Sequence, residues 1–114
     1  MNATTQLQQG SLYRIDKFAV PPGARAELLA QLHETSRFLE GQSGCLQNLV
    51  LEVQSGSDRF NVLTVVEWES AAAFDDAKSA MMAARRGSGF NPQEFLSRLG
   101  VEADMANYLP VEAA

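Results

Sequence analysis

Two periodicities alternate along the chain, and the clearest is the period-two pattern of Phe60 to Trp68. Phe60, Val62, Thr64, Val66 and Trp68 share one face of the predicted strand, and Leu63 and Val65 share the other with Asn61 and Glu67. A strand covered by helices on one side should be polar on its far side. This one is half apolar there, so a second copy of the chain is expected to cover it. Leu12 to Val20 predicts an earlier strand, with Tyr13 and Ile15 on one face and Phe18 and Val20 on the other; a β-bulge near Asp16–Lys17 would reconcile its two halves. Leu46 to Gln54 predicts another, its apolar face formed by Leu49, Leu51 and Val53. Met105 to Val111 predicts the last, where Pro110 requires a sheet edge or a strand end.

Between these strands the period changes to that of helices. Leu28, Leu32 and Leu39 lie on one face of a helix predicted over Ala24 to Glu40, entered through Pro21-Pro22-Gly23 and capped near Gly41. Ser55-Gly56-Ser57-Asp58 signals a hairpin, which makes the second and third strands antiparallel neighbours. Ser70 is suited to cap a second helix running to about Arg85, with Phe74, Ala77, Met81 and Ala84 as its apolar stripe and Asp75, Asp76 and Lys78 on or near its wet side. Gly87-Ser88-Gly89 ends it. Asn91-Pro92-Gln93-Glu94 then opens a short helix anchored by Phe95 and Leu99. The order β-α-β-β-α-β, with a helical insertion before the last strand, defines an α+β, ferredoxin-like fold with an antiparallel sheet and its helices on one face. Two copies stacked through their open sheet faces would form a dimeric α/β barrel.

Length and charge narrow the function. At 114 residues the chain supports one core, assigned to residues 12–111 behind a polar, flexible tail over residues 1–11. A net charge of −5 argues against nucleic acid as a partner. The tail lacks the basic and apolar regions of a signal peptide, and no apolar run approaches the roughly 20 residues of a membrane span, so a cytoplasmic protein with no membrane partner is expected. The single cysteine, Cys45, allows no internal disulfide and reads as an inert, buried thiol. Neither it nor Asp75–Asp76 has a partner at metal-ligand spacing, so no metal is expected.

The strand-to-helix entry Phe18-Ala19-Val20-Pro21-Pro22-Gly23, the turn Glu40-Gly41-Gln42-Ser43-Gly44-Cys45-Leu46, and Val65-Val66-Glu67-Trp68-Glu69-Ser70 followed by Ala73-Phe74 carry a resemblance. In order and spacing they resemble the antibiotic biosynthesis monooxygenase domain family of the dimeric α/β barrel superfamily, over Leu12 to Val111. The resemblance implies a homodimer with a pocket in each subunit between helices and sheet. It also implies a cofactor-independent monooxygenase acting on a small aromatic, phenolic or quinol-type substrate, without metal, flavin or haem. The alternative is a non-catalytic dimeric ligand-binding or interaction module of the same fold.

Members acting on polycyclic phenols carry an asparagine four residues before this tryptophan and a tyrosine six after it; those positions are Thr64 and Phe74 here. Haem-degrading relatives carry a histidine on or just after the second helix, and quinol-type relatives one nine residues past the tryptophan. This chain has none there, and Ala77 takes the latter place. Trp68 can stack on an aromatic ring and donate its indole N–H, and Thr64 can donate a hydrogen bond, which makes both catalytic candidates. His33 on the first helix is the third, as a general base. Phe74, Met81 and Phe90 are candidates for an apolar substrate lining, and Arg85 and Arg86 for clamping an anionic or phenolate substrate at its mouth.

Overall fold

The computed structural model describes residues 10–56 and 59–112, which leaves the predicted tail before residue 10 and two of the four hairpin residues, Ser57 and Asp58, outside the described residues. Four strands, β1 (Leu12–Ala19), β2 (Cys45–Glu52), β3 (Val62–Trp68) and β4 (Glu102–Tyr108), form one antiparallel sheet in the order β2-β3-β1-β4. Three α-helices, α1 (Arg25–Glu40), α2 (Ala71–Ser88) and α3 (Pro92–Leu99), cover one face; a single 3₁₀ turn, Pro22–Ala24, precedes α1. This is the ferredoxin-like α+β arrangement that the periodicities predict, with α3 as the insertion.

Local chemistry sets the boundaries. Ser70 Oγ accepts the Ala73 N–H at 3.1 Å and starts α2, as expected of an N-cap. The helix runs three residues past the predicted end at Arg85, to Ser88, because Gly87 is tolerated in its last turn and the left-handed cap falls on Gly89 (φ 76°). Asn91 caps α3 through the Glu94 N–H at 3.1 Å, with Pro92 at its first position. β4 lies earlier than predicted. Pairing with β1 captures Glu102 to Tyr108 and ends before Pro110, which cannot donate to a ladder.

The predicted bulge in β1 is absent. Leu12 to Phe18 pair without interruption with β3, from Leu12 opposite Trp68 to Phe18 opposite Val62. The irregularity sits instead in β2, between Cys45 and Gln47. Unbroken alternation puts Leu12, Arg14, Asp16 and Phe18 on the helix-covered face and Tyr13, Ile15 and Lys17 on the open one. The apparent conflict in the sequence arose because two charged residues occupy inward positions.

Two apolar clusters fill opposite ends of the covered face. One joins Phe18, Val20, Ala24, Leu28, Val62 and Val101; the other joins Leu12, Val66, Trp68, Ala73 and Ala77. Leu28 and Trp68 are almost fully buried, at 1% and 2% exposure. The row of Asp16 opposite Thr64 lies between these clusters, and Arg14 sits beside it opposite Val66. The open face carries Leu49 and Leu51, beside Leu63 and Val65 by register.

Candidate functional site

A cavity of about 380 Å³ opens between sheet and helices, above those two rows. That is the size of a site for a small organic ligand. β3 supplies Thr64 and Trp68 to its floor, β1 supplies Arg14 and Asp16, and α2 contributes Phe74, Met81 and Arg85 to its wall. Phe90, in the loop after α2, and Phe95 on α3 close the far side with their rings 5.5 Å apart. Trp68 and Phe74 meet edge to face, centroids 6.4 Å apart at 67°. This is the geometry that the ring quadrupoles favour.

Four charged side chains, Arg14, Asp16, Lys78 and Arg85, line this otherwise largely apolar chamber. Arg14 Nε donates to Asp16 Oδ1 at 2.7 Å, with the two side chains 27% and 20% exposed. The Arg14 guanidinium also lies 5.6 Å from the centroid of Phe74, within cation–π range. Burial pushes the Asp16 carboxyl above its ordinary pKa, although Arg14 and, less strongly, Arg85 pull it down. The Arg85 guanidinium stands over Phe90 at 5.7 Å and makes no hydrogen bond or ion pair with any described residue. Burial works against its charged form, and the field of Asp16 works for it. Asn48 borders the same space and ties β2 to α1, donating through Nδ2 to the Ser36 carbonyl at 2.9 Å.

Of the residues singled out from sequence, the structure brings Trp68, Thr64, Phe74, Met81, Arg85 and Phe90 to this cavity. It does not bring His33 or Arg86 there: both are exposed on their helices and neither lines it. One residue of helix rotates a side chain by about 100°, which separates Arg86 from Arg85 and His33 from the inward Leu32. Sequence reasoning missed Arg14 and Asp16. Their signal was alternation held strictly through Leu12 to Val20, which places both in line with Phe18. Cys45 is partly exposed, and burial together with Glu40 raises its thiol pKa, the setting of an unreactive thiol. Among the described residues no three His, Cys, Asp or Glu side chains gather to hold a metal, and no helix is long and apolar enough to cross a membrane.

A ferredoxin-like sheet with a ligand-sized cavity under its helices defines the class of this protein. Its family follows from sequence: the profile described as antibiotic biosynthesis monooxygenase matches residues 11–84, and the chain belongs to that family. Several solved structures share the whole fold. A candidate monooxygenase from Shewanella loihica PV-4 is similar at a TM-score of 0.69 and 19% identity, covering 91% of this chain and 97% of that one. SnoaB, a cofactor-independent oxygenase from Streptomyces nogalater, matches at 0.63 and 16%, covering 91% and 96%. The heme-degrader MhuD from Mycobacterium tuberculosis, with two hemes bound in its active site, matches at 0.66 and 25%, covering 90% and 98%. No curated protein sequence matches significantly.

Proposed function

We propose that this protein is a monooxygenase that oxidises a small phenol or quinol in the cavity above β1 and β3, with molecular oxygen and no bound cofactor. One observation carries the reading: an apolar, aromatic-walled chamber of about 380 Å³ is lined by the Arg14–Asp16 ion pair and by Arg85. Oxidation of a phenol by oxygen begins with the phenolate, the form that gives up an electron readily. Cationic groups in a confined site of low dielectric favour that form. Trp68 and Phe74 offer ring surface and edge for an aromatic substrate, and Thr64 a hydroxyl within the same chamber. Family membership supports a monooxygenase-type activity, and SnoaB is a fold relative described as a cofactor-independent oxygenase.

The assembly we infer is a soluble, cytoplasmic homodimer. Its support is the open sheet face, where Leu49 and Leu51 are exposed beside Leu63 and Val65. The test of activity is oxygen uptake with a panel of phenols and quinols in the presence of chelator and without flavin, using Trp68→Phe as the control. Turnover that survives chelation and falls in the variant supports the enzyme. Calorimetric binding of the same compounds without oxygen uptake would instead establish the ligand-binding module, the reading favoured by Thr64, Phe74 and Ala77 at positions where the active relatives carry other residues.

A further inference from the structure

The proposed oxidation needs a group to take and return protons, and the positions where the family resemblance expects a histidine or tyrosine hold Ala77 and Phe74. His33 is exposed outside the cavity. Among the described residues Asp16 is the single carboxylate that lines it. Its Oδ1 is held by Arg14, and its Oδ2 takes no hydrogen bond from any described residue. The register puts Thr64 beside it on β3 and Met105 beside it on β4, and neither titrates. Arg14 from its own strand and Lys78 and Arg85 from α2 are the other charged side chains around the chamber; α1, β2 and α3 add none.

We propose that Asp16 is the proton-transfer residue of this cavity: its carboxylate takes the hydroxyl proton of a bound phenol or quinol, and Arg14 is the positioning residue that fixes its orientation. The inference rests on reading the cavity as a site of phenol or quinol oxidation. For a phenol with a free ring C–H, Asp16 removes the O–H proton and the phenolate passes one electron to oxygen. The aryloxyl radical and superoxide combine through a new C–O bond, and Asp16 returns its proton to the outer peroxide oxygen. The ring C–H proton then passes to the departing hydroxide as the O–O bond breaks, which forms water. The sum is phenol plus oxygen giving quinone plus water, with Asp16 restored to its ionised form. Burial, which raises the Asp16 pKa, makes the carboxylate a stronger base than an exposed one and serves this role.

Oxygen uptake and substrate binding, measured on wild type and Asp16→Asn, test the inference. The amide keeps the shape and can still accept from Arg14 Nε. Turnover of neutral phenols is expected to fall about a hundredfold or more, the usual worth of a positioned general base, while calorimetric affinity changes little. The wild-type rate should climb as pH rises through the Asp16 pKa and then level; the variant should lack that limb. Fluorinated phenols already ionised at the assay pH need no base, so the gap between the two proteins should shrink toward unity for them. An equal gap for neutral and ionised phenols would assign Asp16 a structural role and overturn the proposal. So would equal rates with every substrate. A wild type that consumes no oxygen with any compound sinks the oxidation reading itself, and this inference with it. If the amide variant loses its fold by circular dichroism, Asp16→Glu carries the test: it should keep the pH limb at a reduced rate, and loss of the limb counts against the proposal.

Discussion

Asn61 and Val20 exchange two hydrogen bonds: the Val20 N–H donates to Asn61 Oδ1 at 2.9 Å, and Asn61 Nδ2 donates to the Val20 carbonyl at 3.0 Å. The side chain thus takes the place of a ladder partner for the residue that follows β1. Val20 is itself buried, so neither backbone group has ready access to water. Asn61→Ala leaves both unmatched and is expected to lower stability by about 1–3 kcal/mol, read as a shift of the urea midpoint. An unchanged midpoint would mean that water replaces the side chain at no cost.

Gly44 turns the chain into β2 with a left-handed φ of 87°, and a Cβ there would lie 2.6 Å from the Cβ of Ala73 on α2. Backbone conformation and close packing both demand glycine. Gly44→Ala is predicted to destabilise by about 2 kcal/mol or more, since the left-handed conformation alone costs 1–2 kcal/mol for an L-residue. Gly23→Ala is the control, because a Cβ there meets nothing within 4 Å and its φ is not left-handed. Equal melting temperatures for the two variants would contradict the account.

The strand that ends at Trp68 was legible because its inward positions are nearly all apolar, and the same alternation put Thr64 on the face of Trp68; the family resemblance made it a site candidate. β1 was misread for the opposite reason. Period-two reasoning sorts residues by hydrophobicity, so inward charges at Arg14 and Asp16 look like a break in register. Only pairing across the sheet shows that the register is unbroken and that the charges face a cavity. The lone histidine drew attention by its chemistry, yet chemistry counts only where the helix turns it inward. Tertiary placement decides that, and at His33 it decides for solvent.

The raised pKa of Asp16 makes stability depend on pH in an unusual direction. The folded state binds its proton more tightly than the unfolded chain, so between the ordinary carboxylate pKa near 4 and the raised folded value, folded protein carries more protons. Stability contributed by this group therefore falls as pH rises through that window, the reverse of a carboxylate whose pKa is depressed. Asp16→Asn removes the titration. The melting temperature of the variant relative to wild type should increase as pH is raised from about 4 through that window toward neutrality. A difference independent of pH would place the folded and unfolded pKa values together.

Arg85 and Arg86 are adjacent in sequence but inequivalent in space, which separates their expected effects. The Arg85 side chain lines the cavity with no hydrogen-bond partner for its guanidinium among the described residues, whereas Arg86 is exposed outside it. Arg85→Gln should weaken binding of a phenolate or aromatic carboxylate roughly tenfold, about the worth of one charged hydrogen bond, and leave a neutral analogue of the same shape unaffected. Arg86→Gln should do neither. Calorimetric titration of the two variants with the matched ligand pair decides the point, and equal losses would indicate a diffuse electrostatic effect.

The open face of the sheet makes the last prediction. Leu49 and Leu51 are 38% and 44% exposed, and the ladder sets Val65 and Leu63 directly opposite them. Water-facing leucines paired with apolar neighbours across adjacent strands form a continuous patch, which a second copy of the same sheet would bury. Removing one leucine side chain from water is worth about 1.5–3 kcal/mol, and a twofold interface counts each substitution twice. Leu51→Lys sets two charges into that contact while leaving the helix-covered core untouched. Sedimentation at micromolar concentration is expected to give about twice the 12.4 kDa chain mass for wild type and a single chain mass for the variant. Circular dichroism of the two should match, because each subunit keeps its own core on the other face of the sheet. A wild type that sediments as a monomer would show that these leucines face solvent in the native protein, and the homodimer would be withdrawn.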